Sequence, residues 1–447
     1  MIIKSIKKTI RLWCIVAGIL TASHFARAAD TDSSYSTERP FGVPRSRFNI
    51  LEPGRTPITE MPTRAVSRHA FIPPRTRRQG FVPRISVMEE YNDNILFDSK
   101  TVLKDFVTII SPGFNFLNTS DRGNFELDYS LESAIYPSHS ELNDAFEAHN
   151  ILSSGSFRFS KKTSLSFYEN FFSFKDSSRQ IIPGLAARSR VNENYFNLGL
   201  THILSPKTKV HANYKQDLNQ YDDEDAITSL IHEGSLALSN QFTHQDKASI
   251  KYRYRLLNFE SRTNTDSDVD SDGNTLSTTP ITSNVGQDGM IHLISINNIH
   301  EFSESLIATT EVGAAQTTEP HNATDIIGRA SIQASTKDTS AELSYERDIT
   351  TTGGFGTLMK VDTVSANVGA SLINKLYGSL SLDFLRLKQV SGEGIDVKIL
   401  EPTASLEYKI SKHFQVRFSY KYLYQEINID KSTTDSNRVN LGFDASF

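Results

Sequence analysis

From about residue 81 to the carboxyl terminus, one segment after another places apolar residues at every second position. Phe125, Leu127, Tyr129 and Leu131 alternate with Glu126, Asp128 and Ser130. Ala248, Ile250, Tyr252 and Tyr254 alternate with Ser249, Lys251 and Arg253, and Phe414, Val416, Phe418, Tyr420 and Tyr422 with Gln415, Arg417, Ser419 and Lys421. A period of two is an extended strand with one apolar and one polar face. Strands of this kind, repeated along most of a chain, need an apolar environment on one side and water on the other. Eight tight polar turns join them: LNTSDRG near residue 117, FSKKTSL near 159, LSPKTKV near 204, THQDKAS near 243, FSESLIA near 302, STKDTSA near 335, LINKLYG near 372 and ISKHFQV near 410. The connections between those pairs are longer and more variable, such as the stretches near 265–289 and 349–361. Short turns on one side and long loops on the other are the asymmetry of an outer-membrane barrel. Eight hairpins plus a strand at each end, about Val82–Tyr91 and Arg438–Phe447, predict an all-β, antiparallel transmembrane barrel of about 18 strands, with 16 as the alternative. A soluble sandwich with the same pattern would leave its apolar faces uncovered and aggregate.

The rest of the chain fits export to such a location. Lys4, Lys7, Lys8 and Arg11 precede an apolar run from Leu12 to about Ala22, followed by Ala26-Arg27-Ala28, the layout of a signal peptide over residues 1–28. The run is short of the roughly 20 residues a spanning helix needs, and Arg11-Leu12-Trp13 do not suit a lipoprotein site at Cys14. The only Cys and the only Trp would leave with the leader, so neither disulfide nor thiol chemistry is expected in the mature chain. Cleavage after Ala28 also changes the balance of 47 basic and 52 acidic residues to a net charge of −10, which excludes a basic nucleic-acid binder. Residues 29–80 carry nine arginines, five acidic residues and seven of the 15 prolines, with little alternation. They read as a disordered Pro/Arg-rich periplasmic arm, better explained as a soluble tether than as a surface for an anionic polymer. The barrel itself is assigned to 81–447.

Sites for covalent chemistry are not evident. No hydrolase elbow, phosphate loop, paired-histidine zinc helix or cysteine cluster occurs. His149, His202, His211, His232, His292 and His300 lie on predicted strands, but none is spaced from a nucleophile in a telling way. The loop carrying Asp266, Asp268, Asp270, Asp272 and Gly273 echoes the start of a calcium loop, yet Thr279 stands where the bidentate Glu belongs, so no metal and no cofactor is assigned. Inward side chains of a wide barrel set what passes. Lys251, Arg253, Arg255, Arg417 and Lys421 are the candidate lumen-lining cations, and Glu126, Asp128, Glu132, Glu342, Glu346 and Glu407 the candidate acids. Such a mixed wall either guides an anionic polymer or pairs across itself to hold the barrel's shape, and pairing is the simpler expectation.

The stretch Arg84–Phe116 resembles the opening hairpin of the outer-membrane β-barrel porin family found with exopolysaccharide and capsule genes (β-barrel porin 2 type). The likeness rests on Tyr91, Asp93 and Asn94, then Asp105, Phe106, Thr108, Pro112 and Gly113, and beyond these 33 residues it is only one of barrel length. At the other end Val439, Leu441, Phe443 and Phe447 alternate up to an aromatic terminus, which resembles the signal that the barrel assembly machinery recognises. The resemblance implies the outer membrane of a Gram-negative cell, contact with outer-membrane lipid and lipopolysaccharide, and passage of a secreted polysaccharide without enzymatic chemistry. The leading expectation is therefore a conduit or accessory for exopolysaccharide export, partnered by an export apparatus. A passive diffusion porin for small solutes is the alternative, and a barrel plugged by the arm or a long loop the second. A narrowing loop folded into the lumen would favour the porin, and a lumen packed with residues 30–80 the plugged barrel.

Overall fold

The computed structural model describes residues 80–175, 190–222, 227–260, 288–319, 322–351, 357–390, 394–428 and 432–447. The expected leader, the arm and the acidic loop around Asp266–Gly273 with Thr279 lie outside the described residues. Eighteen strands run in chain order: β1 Gly80–Asn92, β2 Asp105–Ser120, β3 Gly123–Ile135, β4 Asp144–Arg158, β5 Thr163–Phe174, β6 Val191–Ile203, β7 Thr208–Tyr221, β8 Thr228–Gln241, β9 Asp246–Glu260, β10 Gly289–Ser303, β11 Leu306–Glu319, β12 Ala323–Ser335, β13 Thr339–Thr351, β14 Leu358–Ile373, β15 Leu376–Gln389, β16 Asp396–Lys409, β17 Phe414–Ile427 and β18 Ser432–Ser446. Each pairs antiparallel with the next, and β1 pairs with both β2 and β18, so the sheet closes on itself and leaves no edge. All eight short turns fall where the sequence places them. The last strand begins six positions earlier than expected, because Ser432–Asn437 pair with β17 despite carrying few apolar residues. On the opposite side the connections vary widely, from residues 261–288 between β9 and β10 to 320–322 between β11 and β12.

The outward face explains why this chain needs lipid. Val312 and Ile326 are 66% and 67% exposed, and Leu236, Leu238, Ile250, Ile294, Ile296 and Leu343 continue the same belt. Each aliphatic side chain left in water forgoes roughly 1.5–3 kcal/mol of transfer free energy, which a bilayer restores. Phe157, Phe159, Phe242, Phe302, Phe414 and Phe447 stand exposed near the short turns, the position of an interfacial aromatic girdle. Among the described residues no helix is long and apolar enough to cross a membrane; the strands cross it. The molecule is a transmembrane barrel of the outer-membrane type.

Of the three prolines inside described strands, Pro83, Pro112 and Pro402, the last two leave a trace in the ladder. The β2–β3 pairing passes from Ile110 opposite Ser133 to Gly113 opposite Ser130 without registering Pro112, and the β16–β17 pairing likewise steps over Pro402. A proline has no N–H for its neighbour, so one rung is lost while the register holds. Gly113 follows for a steric reason, since a Cβ there would stand 2.3 Å from the Tyr129 carbonyl oxygen.

Candidate functional site

The inner face of the wall is charged, and the charges meet. Arg253 reaches Glu311 at 3.1 Å, and Arg255 reaches Glu233 at 2.6 Å and Asp348 at 3.2 Å. Lys215 stands 3.5 Å from Glu233. Around the closing seam Arg84 pairs with Asp128 at 2.5 Å, Arg438 with Glu90 at 3.8 Å, Arg417 with Asp444 at 3.2 Å and Lys421 with Glu401 at 2.9 Å. Of the five cations singled out in the sequence, four therefore contact carboxylates, and Lys251 is buried on the same inner face. Asp128 also accepts from Asn115, as does Glu126, while Glu346 lines the cavity described below. Glu407 lies opposite Arg417 in the ladder. Among the described residues the wall braces itself, its inward arginines and lysines meeting carboxylates more than they form a row of free positive charge for an anionic chain.

Toward the long loops the inner face changes character from charged to apolar. Inward positions there carry Ile231, Leu257, Ile291, Leu293, Ala315 and Ile327 in one cluster, joined by Ile349 and Leu358 of the β13–β14 tip, and Met359, Val361, Leu385, Leu387, Val397, Ile399 and Leu423 in another. A third cluster joins Ala148, Phe172, Phe174, Val191 and Tyr221. Several of these side chains are 0–1% exposed. A side chain facing a wide water-filled lumen would be wet on one side, so burial this complete requires other groups to pack on it from within. Alternation alone cannot reveal this, because a polar-in strand and a strand with an apolar inner tip share the same period.

The connection between β1 and β2 supplies part of that packing and accounts for the motif of the opening hairpin. Phe97, in the left-handed region at φ 50° and 2% exposed, joins the cluster on β14–β17, and Ile95 packs with Met88, Val107, Ile109 and Tyr136. The loop is held inward by the motif's polar residues. Both oxygens of the Asp93 carboxylate accept from Asn437, one from its backbone N–H and one from its side-chain amide, each at 2.6 Å. The Asn94 amide donates to the Asp98 and Asp435 carbonyls at 3.0 and 3.1 Å, and its oxygen accepts from the Asp98 N–H. Asp105 accepts from the Ser138 N–H at 3.0 Å and contacts His139 at 3.0 Å, tying a second loop to the first. Tyr91 and Phe106 pack ring against ring at 5.1 Å on the outer face. These residues clamp β18 across the seam and tuck two apolar side chains into the lumen. Val439, Leu441, Phe443 and Phe447 lie on the lipid face, and the Phe447 N–H donates to the Pro83 carbonyl at 3.0 Å.

A second inward element lies across from the seam. β12 and β13 are in register only from Gly328 opposite Arg347 to Ser335 opposite Ser340, so the last residues of β13 leave their neighbour. Asp348 and the Ile349 carbonyl there contact Arg255 of β9. Strands β9 and β13 are four steps apart, or roughly 19 Å along the wall at about 4.8 Å per step, so this contact needs the wall to fold toward itself. Beneath the fold lies a cavity of about 170 Å³. Asn170, Tyr195 and Asn219 line one side, and Arg253, Arg255, Arg329 and Asp348 the other.

Five of the six histidines singled out in the sequence are structural partners of hydroxyl groups, and His300 pairs with a carboxylate. Tyr129, Tyr214 and Tyr252 meet His149, His232 and His292 at 3.3, 2.8 and 2.8 Å, Thr163 meets His202 at 2.9 Å, and Asp246 meets His300 at 2.6 Å. His211 alone of the six faces inward, between Thr201 at 3.0 Å and Ser239 at 3.2 Å. Among the described residues no group of three or more His, Cys, Asp or Glu is placed to hold a metal ion. Sequence reasoning missed Asp348, Glu233, Asn170 and the loop residues Ile95 and Phe97. Only the run Ile95-Leu96-Phe97 inside an otherwise polar connection hinted at any of them.

No family model matches the chain, and no curated protein matches it by sequence. Among solved structures it is similar to Pseudomonas aeruginosa OpdQ (9% identity, TM-score 0.41, covering 82% of this chain and 97% of that one). It is also similar to Pseudomonas aeruginosa OccK1 (OpdK) (9% identity, TM-score 0.43, covering 82% and 99%) and Acinetobacter baumannii OccAB4 (10% identity, TM-score 0.41, covering 83% and 99%). Likenesses of this grade leave the function to be read from the barrel itself.

Proposed function

We propose that the protein is a passive diffusion channel for small polar solutes across the outer membrane, narrowed near its long loops. The observation that carries this is the near-complete burial of inward-facing side chains at that end, with Phe97 and Ile95 of the first loop packed among them. A hydrated polysaccharide would have to hold that packing apart along its whole length for as long as it threads, whereas a small solute needs only a brief local gap. The self-paired wall supports the same choice, because internally matched ions offer an anionic polymer little to exchange for its hydration. Export of a secreted polysaccharide, with an export apparatus in the periplasm and residues 29–80 as its contact arm, is the competing function. It rests on the resemblance of the opening hairpin.

Liposome swelling with solutes of graded size separates the two. A channel for small solutes admits monosaccharides, slows for trisaccharides and excludes dextrans. Comparable entry of oligosaccharides of ten or more units would overturn the proposal in favour of a polymer conduit.

A further inference from the structure

The cavity beneath the folded wall has one side that the ion-pair network does not use. We propose that this cavity is a binding site for an uncharged, polyhydroxylated solute of monosaccharide size, held by Asn170 and Thr351 against the ring of Tyr195. The inference rests on the solute-channel function proposed above and names the solute class that the same lumen takes.

Asn170 projects inward from β5, is 1% exposed, lines the cavity, and has no hydrogen-bond partner at either amide atom. Thr351, at the tip of β13 on the other side, is 5% exposed, lines the same cavity, and its hydroxyl is likewise without a partner. A buried polar group left unmatched is costly, so two such groups lining one space mark a place where a ligand's polar atoms fit. The amide presents donors and an acceptor side by side, which a pair of neighbouring hydroxyls can answer with an acceptor and a donor. Tyr195 stands opposite Asn170 in the β5–β6 ladder and lines the same cavity, its ring 5.9 Å from that of Tyr168 and tilted by 58°, and offers an aromatic surface to the C–H face of a sugar ring. At about 10–15 Å³ per water position, the cavity's 170 Å³ takes on the order of a dozen water-sized groups, close to the non-hydrogen atoms of a hexose.

Charge selects against acids and amines. The carboxylate of Glu311 is engaged by Arg253 and Ser295, and those of Glu233 and Asp348 by Arg255. A charged ligand that took one of these groups would have to break its pair and leave the former partner buried alone, which a neutral ligand avoids.

The test uses the refolded mature chain in two settings, planar bilayers and detergent, with glucose and glucuronate as probes and Asn170→Leu and Thr351→Val as variants. In the bilayer, glucose is expected to lower the wild-type current reversibly at millimolar concentration, with at least a tenfold weaker effect for Asn170→Leu and a weaker effect for Thr351→Val. Glucuronate should act at least tenfold more weakly than glucose on the wild type. Calorimetry in detergent should give the same ranking, and far-UV circular dichroism checks that each variant folds. Equal glucose responses in wild type and folded Asn170→Leu, or glucuronate binding as tightly as glucose, would overturn the site. A wild type that conducts without binding glucose would overturn the site and leave the channel standing. Glucose binding in detergent by a protein that never conducts would uphold the site and refute the channel.

Discussion

Arg255 is the residue whose loss has the most widely felt consequence. Its guanidinium donates from Nε and Nη2 to Glu233 at 3.0 and 2.6 Å, from Nη1 and Nη2 to Asp348 at 3.5 and 3.2 Å, and to the Ile349 carbonyl. Arg255→Met keeps the stem of the side chain and removes the guanidinium head and its charge. Glu233 then retains Lys215 at 3.5 Å, while Asp348 loses the partner that draws the β13 tip inward. Removing one member of a buried pair costs about 3–5 kcal/mol because the remaining charge is left desolvated. Asp348 keeps 23% of its side chain in contact with solvent, so the lower end of that range applies. About 3 kcal/mol corresponds to roughly a hundredfold change in an opening equilibrium. The strand ladders around the rest of the barrel are untouched, so the tip should swing out while the barrel stays folded. Amide exchange at Ile349–Thr351 is expected to speed up about a hundredfold, and the reversal potential in a potassium chloride gradient to shift toward cations. The double variant Arg255→Met/Glu233→Gln should return the reversal potential most of the way to wild type. Wild-type exchange rates and an unchanged reversal potential in Arg255→Met would refute the view that this contact holds the wall folded.

Other residues give separate tests. Phe97→Ala removes a fully packed ring from the cluster on β14–β17 and should weaken the inward loop by about 3–5 kcal/mol, read as larger and more frequent current steps with the barrel's thermal transition unchanged. Asp93→Ala forfeits two charge-assisted hydrogen bonds across the seam, about 1.5–3 kcal/mol each, and should lower the temperature at which the folded band is lost on unheated gels by several degrees. Gly369→Ala forces a Cβ against the Tyr377 hydroxyl and ring tip, so refolding yield should fall, and Tyr377→Ala made with it should recover part of the loss. Phe447→Ala removes an exposed aromatic beside Phe414 and should reduce insertion by the assembly machinery in cells more than it reduces equilibrium stability in detergent.

The architecture was legible because its cause is local. Strand period, turn composition and the difference in length between the two sets of connections are each written in a few consecutive residues, and they place all eight turns and the closure of β1 on β18. The interior was not legible in the same way. Whether Arg255 guides a polymer or braces the wall depends on Asp348, which lies 93 positions along the chain and meets it only because β13 leaves β12. Likewise, Leu385 and Leu387 keep the same period as polar inward residues further down the strand, and nothing in the alternation tells a wet inner face from a packed one. The resemblance of the opening hairpin drew attention to Tyr91, Asp93, Asn94 and Asp105. The structure gives these residues a mechanical role at the seam, which by itself says nothing about cargo.

Single-channel recording of the refolded mature chain, with and without the host's own secreted polysaccharide, tests the central claim most directly. A narrowed channel for small solutes predicts small current steps that the polysaccharide leaves unchanged and that grow in Phe97→Ala. Large steps blocked reversibly by the polysaccharide at low concentration, and indifferent to Phe97, would contradict it and establish a polymer conduit.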